Sequence, residues 1–200
     1  MRPAYGAKEI EIGGHQVTIV VDVANVMGSR PDGWWRDRAG AAVRLHDQIV
    51  RLAASGRAIL PADLRTAVDA HTPRDAGIPS RDPRTPQDAR IPCDVRTPGG
   101  VRSPGDTVRP GFVLVLEGAA NAAVARIPSV ESGASGPVRP GEVRVVQARG
   151  SGDEAILAVV RDLPGRRVVV TADRALRARC VAAGAEILGP GWLLGLLRAS

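Results

Sequence analysis

The sequence is short of aromatic side chains, lysine, cysteine and histidine, and each shortage narrows what the chain can be. Aromatic residues make up 2% of its 200 residues, so a core must be built from Val, Leu, Ile and Ala. The two cysteines, Cys93 and Cys180, lie far apart without metal-ligand spacing and give no disulfide framework. His15, His46 and His71 are scattered and suggest neither a zinc site nor a catalytic triad. No run approaches the roughly 20 apolar residues of a membrane span. The N-terminal "MRPAYGAKEIEIGG" carries charges but no apolar h-region. These absences predict a cytoplasmic protein with no membrane partner.

Positive charge is what the chain has in excess. The formal charge of +6 and pI near 10.7 come almost wholly from arginine, since Lys8 is the only lysine. Arginine forks match phosphate geometry and suit a polyanionic partner. An Ala, Gly, Arg and Pro excess with scarce Lys also follows from GC-rich coding, and composition alone does not separate the two. With 44% hydrophobic residues, the length suits one globular domain plus a non-globular part.

That part is legible between His71 and Pro110, where Pro recurs every few residues with Arg and Asp between. Proline removes backbone donors, and apolar residues are too sparse to offset ordering entropy. The expectation is a disordered, low-complexity Pro/Arg-rich insertion over 71–110, an N-terminal extension over 1–14, and a single domain formed by 15–70 and 111–198.

Outside the insertion, strands and helices alternate. "VTIVVD" (17–22) reads as a strand buried on both faces. A Gly and Trp loop leads to a helix over 39–55, with Val43, Ile49, Val50 and Leu52 at helical spacing and Gly56 at its C-cap. "FVLVLEG" is a second strand ending at Glu117, and "EVRVVQARG" a third. "SGDEAILAVVRDL" is a helix opened by a capping box, Ser151 with Glu154. "RRVVVTAD" is a fourth strand ending at Asp173, followed by helix "RALRARCVAAG" stopped at Gly184, a short strand over 185–188 and a helix near 192–197. Right-handed crossovers then predict a doubly wound α/β domain, a mostly parallel sheet with helices on both faces.

In such a sheet the C-terminal strand ends share one edge, where ligands bind at the topological switch point. Asp22, Glu117 and Asp173 end strands, and Asp153 opens the helix after the third. Each has an ordinary explanation: Asp22 with Asn25 suits a turn, Asp153 complements a helix dipole, Asp173 makes an N-cap, and Glu117 sits beside a loop glycine. Together they crowd charge, since two carboxylates about 4 Å apart repel by roughly 4 kcal/mol at an effective dielectric of 20. A cation resolves such crowding, and an all-oxygen set suits Mg²⁺ or Mn²⁺. Such an ion would orient a phosphodiester and supply hydroxide.

Competing chemistries have less support. There is no G-x-G-x-x-G after a strand, no Walker lysine loop and no serine in a nucleophile elbow. "DVANV" lacks the second Asp of an aspartyl-phosphate phosphatase of the haloacid dehalogenase type. "GSGDE" (150–154) offers a short phosphate cradle at a helix start.

"VVDVANVM" resembles the "VDGxNV" opening of NYN domains, a branch of the PIN-like ribonuclease fold. "SGDEAI" and "VVVTADRALR" are similar to that family's second and third acidic motifs, and the order and spacing look most like the YacP-like bacterial group from about Val17 to Leu197. The resemblance implies metal-binding and catalytic acids at Asp22, Asp153 and Asp173, with Glu117 at a position often acidic. It places the family's asparagine at Asn25, ordering the site or binding phosphate. Val23 stands where the family usually carries glycine.

Substrate-facing candidates gather in "GSRPDGWWRDR", where Trp34 and Trp35 beside Arg30, Arg36 and Arg38 can stack on unpaired bases and hold phosphates. The alternative is that the tryptophans seal the loop onto the domain. Ser151 in the cradle and Arg174 after Asp173 join the substrate-binding set. The expectation is a metal-dependent endoribonuclease acting on single-stranded RNA, for which ribosome association is one allowed context. A non-catalytic RNA-binding module of the same fold and a nucleotide phosphohydrolase are the alternatives.

Overall fold

The apolar run Val17–Asp22 forms β1, and all six of its residues are buried. The computed structural model describes residues 16–56, 109–127 and 136–199. The expected N-terminal extension lies outside the described residues, as does the expected insertion apart from Arg109 and Pro110. After β1 come α1 (Val23–Gly28), a 3-10 turn (Trp34–Arg36) and α2 (Arg38–Ser55). β2 (Gly111–Leu116) leads through a 3-10 helix (Gly118–Arg126) to β3 (Val143–Gln147). α3 (Gly152–Asp162), β4 (Arg166–Val170), α4 (Arg174–Ala182), β5 (Glu186–Leu188) and α5 (Pro190–Arg198) complete the described elements.

The five strands make one parallel sheet in the order β3-β2-β1-β4-β5. β1 and β2 are buried along their whole length, whereas the edge strands β3 and β5 are partly exposed. That gradient explains the largely apolar runs at the centre, because a strand covered on both faces has no solvent side to fill with polar residues. α3 and α4 cover one face, packing on Val20, Val113, Val115 and Val169 through Ile156, Leu157, Val160, Leu176 and Cys180. Strand alternation sends Ile19, Val21, Leu114 and Leu116, all buried, to the other face. α2 lies with α1, α5 and the 3-10 helix. The result is an α/β fold with an all-parallel sheet flanked by helices, compatible with a doubly wound fold. Among the described residues no helix is long and apolar enough to cross a membrane.

Local signals explain most boundaries. Asp37 caps α2 by accepting from the Gly40 N–H at 2.8 Å, and Gly56 ends it in the left-handed conformation at φ 66°. Two expectations need correction. Val50 is 40% exposed, because it lies one residue, about 100° of helix rotation, from the buried Ile49; the inward stripe is Leu45, Ile49 and Leu52. The capping box is also absent. Ser151 is the N-cap of α3 but makes no side-chain cap bond, and Glu154 pairs with Arg179 at 2.5 Å.

Candidate acidic site at the sheet switch point

From β1 the chain builds outward to β2 and β3, then returns to place β4 on the other side of β1. The switch point therefore falls between the ends of β1 and β4, and Asp22 and Thr171 stand on its two sides. Both are buried. Asp22 caps α1, its Oδ1 accepting from the Asn25 N–H at 3.0 Å and its Oδ2 from Asn25 Nδ2 at 2.7 Å. The Thr171 hydroxyl donates to the same Oδ2 at 2.9 Å and accepts from the Asp173 N–H at 3.1 Å. Three donors thus fix a buried carboxylate that would otherwise be costly to bury.

The expected turn after β1 is the helix α1, and Val23 is its buried first residue. Its backbone is helical, so the position does not require a glycine. Asn25 serves Asp22 with both its backbone and its side-chain N–H, which makes it a positioning residue.

Asp173 lies three residues past the end of β4 and caps α4, its Oδ1 accepting from the Leu176 N–H at 2.8 Å. Its Oδ2 has no hydrogen-bond partner among the described residues. Asp153, in the first turn of α3, is half-buried, and its carboxylate has neither a hydrogen bond nor an ion pair among the described residues. Partial burial raises the Asp153 pKa above its ordinary value, the Asp173 and Asp22 charges raise it further, Arg179 opposes them, and Glu154 adds to the rise. Asp153 is therefore within electrostatic reach of both Asp173 and Asp22.

Glu117 has a different task. Its Oε2 accepts from the Gly152 N–H at 2.9 Å, capping α3 from the end of β2. A Cβ at position 152 would come within 2.3 Å of that oxygen, so the glycine admits the carboxylate. The cradle expected in "GSGDE" accordingly loses its Gly152 N–H to Glu117. Ser151 and Arg174 are both exposed beside the crevice-forming segments.

The tryptophans divide. Trp34 is half-buried, lies 3.7 Å from where a Cβ on Gly28 would stand, and carries the Arg38 guanidinium 5.3 Å from its ring centroid. It seals the loop. Trp35, edge-to-face with Trp34 at 6.4 Å between centroids, is 56% exposed and offers a free ring beside the exposed Arg36. Arg30 bonds Gln48 of α2 at 3.0 Å. Cys180, on the buried side of α4, is free; burial pushes its thiol pKa up, which suits packing rather than nucleophilic chemistry.

No three His, Cys, Asp or Glu side chains among the described residues gather into a ready metal-ligand group, so the expected four-acid cluster is not assembled as such. The donor chemistry still fits a hard cation. Asp153 and the Asp173 Oδ2 are all-oxygen, unpartnered and mutually repelling, and Mg²⁺ commonly keeps several waters while bound through one or two carboxylates. In comparisons with known proteins, no family model, no curated protein and no solved structure matches the chain.

Proposed function

We propose that the chain is a metal-dependent ribonuclease cleaving single-stranded RNA, of the NYN branch of the PIN-like fold and closest in motif order to its YacP-like group. The observation that supports this reading is the placement of Asp153 within electrostatic reach of Asp173 and Asp22 at the switch-point crevice, its carboxylate without a hydrogen bond or ion pair among the described residues. Asp153, Asp173 and Asp22 would hold Mg²⁺ or Mn²⁺, which when bound supplies charge neutralisation and an acidified water for phosphodiester hydrolysis. Glu117 acts at one remove, by fixing the start of α3 that carries Asp153.

The chain's own residues divide the remaining work. Asn25 and Thr171 hold the Asp22 carboxylate in one orientation, so the site needs little reorganisation when substrate arrives. Trp35 presents an open face for an unpaired base, and Arg36, Arg38 and Arg174 are exposed to hold backbone phosphates.

One observation favours the RNA-binding module without turnover: three donors on Asp22 and the cap role of Asp173 give both acids structural employment. A substrate panel separates the readings. Labelled single-stranded RNA and a set of nucleotides are incubated with the protein in Mn²⁺ and in EDTA. RNA fragments in Mn²⁺ alone support the ribonuclease. RNA binding without fragments supports the module, and phosphate release from nucleotides alone supports the phosphohydrolase.

A further inference from the structure

A cleft that none of the three aspartates lines lies where the loop leaving α1 meets α2 and the C-terminal part of α5. Its walls include Ser29, Arg30, Pro31, Gln48, Leu197 and Arg198. Two guanidinium groups are anchored there with donors to spare. Arg30, half-buried, donates from Nη2 to Gln48 Oε1 at 3.0 Å, and Arg198 donates from Nε to the Leu194 carbonyl at 3.2 Å. Their remaining N–H groups have no hydrogen-bond partner among the described residues. Arg44 lies one helical turn before Gln48 on the same side of α2.

The cleft is short of negative charge. Among the described residues Asp32 is the one carboxylate in its wall, and its Oδ1 accepts from the Trp34 N–H at 3.2 Å instead of pairing with Arg30. Burial lowers the Arg30 pKa, Asp32 opposes this, and the charges of Arg198 and Arg44 lower it again. Arg30 and Arg198 in the wall against its one carboxylate, with Arg44 adding positive charge nearby, leave an excess of positive charge to be met from outside. A phosphate group with only one esterified oxygen carries about −1.5 to −2 near neutral pH, and its oxygens match the guanidinium fork. Pro31, Leu194 and Leu197 form the apolar part of the wall.

We propose that this cleft binds a dianionic phosphate group, with Arg30 and Arg198 as its forked donors and Gln48 holding Arg30 in place. The site stands apart from the nuclease reading, because it uses none of the acidic residues and requires no metal.

The test is calorimetry on the full chain without divalent metal, so that cleavage plays no part. The probes are inorganic phosphate, a 5′-mononucleotide, and a short single-stranded RNA with and without a 5′-phosphate. A charge-assisted contact predicts that the phosphorylated RNA binds roughly 10- to 100-fold tighter than its 5′-hydroxyl counterpart. Arg198→Gln, at an exposed position, should remove most of that preference without altering the melt. Arg30→Gln should do the same, and Asp153→Asn should keep the preference whatever it does to cleavage. Inorganic phosphate binding as tightly as the RNA end would identify free phosphate as the source; tighter binding of the phosphorylated RNA would identify a strand end. If no phosphate-bearing probe binds preferentially, or a folded Arg198→Gln protein discriminates as the wild type does, the assignment is overturned.

Discussion

The Thr171 hydroxyl donates to Asp22 Oδ2 at 2.9 Å, joining the ends of β1 and β4 across the switch point with both residues buried. The Thr171 Oγ1 in turn accepts from the Asp173 N–H, so one threonine ties the buried acid of β1 to the segment carrying the exposed one. Thr171→Val keeps the shape and removes both bonds. A bond to a charged group contributes about 1.5–3 kcal/mol, so a loss of that order in urea-unfolding free energy is expected. A loss below about 0.5 kcal/mol, within the usual range for surface substitutions, would show that the bond does not fix Asp22.

Glu117 separates capping from metal binding. If its carboxylate serves the Gly152 N–H, Glu117→Ala should cost about 0.5–2 kcal/mol of stability, as other cap deletions do. The rise in melting midpoint conferred by Mn²⁺ should then survive, because a ligand shifts the midpoint only through its affinity for the folded state. Thermal melts with and without Mn²⁺ check both outcomes. A Mn²⁺ shift lost in Glu117→Ala would return Glu117 to the metal-binding set.

Asp153 gives a pH signature with a definite sign. Its folded-state pKa lies above the ordinary 3.8, so between those two values the folded protein keeps a proton that the unfolded chain has released. Stability contributed at this position therefore falls as pH rises through that window and stays reduced above it. Asp153→Asn removes the effect, so it should be at least as stable as wild type at neutral pH, with its relative advantage vanishing below the window. Denaturation midpoints across the acid range measure this. If Asp153 acted chiefly as a helix-dipole partner, the variant would instead lose about 0.3–1 kcal/mol at neutral pH.

How far the sequence could be read depended on how local each signal was. β1, β2 and β4 were legible because burial writes itself as short apolar runs rich in Val. α1 was not, since the six residues Val23–Gly28 are too few for a helical period, and the Asp22 and Asn25 pair that caps it reads equally as a turn. Ser151 with Glu154 matched a capping box, yet the acceptor for Gly152 comes from Glu117, 35 residues earlier, where no local pattern can show it. Thr171 carried a faint signal, a hydroxyl closing an apolar strand two residues before an acid. The cleft of Arg30, Gln48 and Arg198 had none, because three distant segments meet only in the fold.

Whether the switch-point aspartates act on RNA is tested most directly by one measurement. The rate of cleavage of a labelled single-stranded RNA in Mn²⁺ is compared between wild type and Asp153→Asn, both confirmed folded by their melts. EDTA-sensitive fragments from wild type, with a rate lower by orders of magnitude in the variant, are the predicted result. Equal rates in the two proteins, or fragments that persist in EDTA, would contradict it.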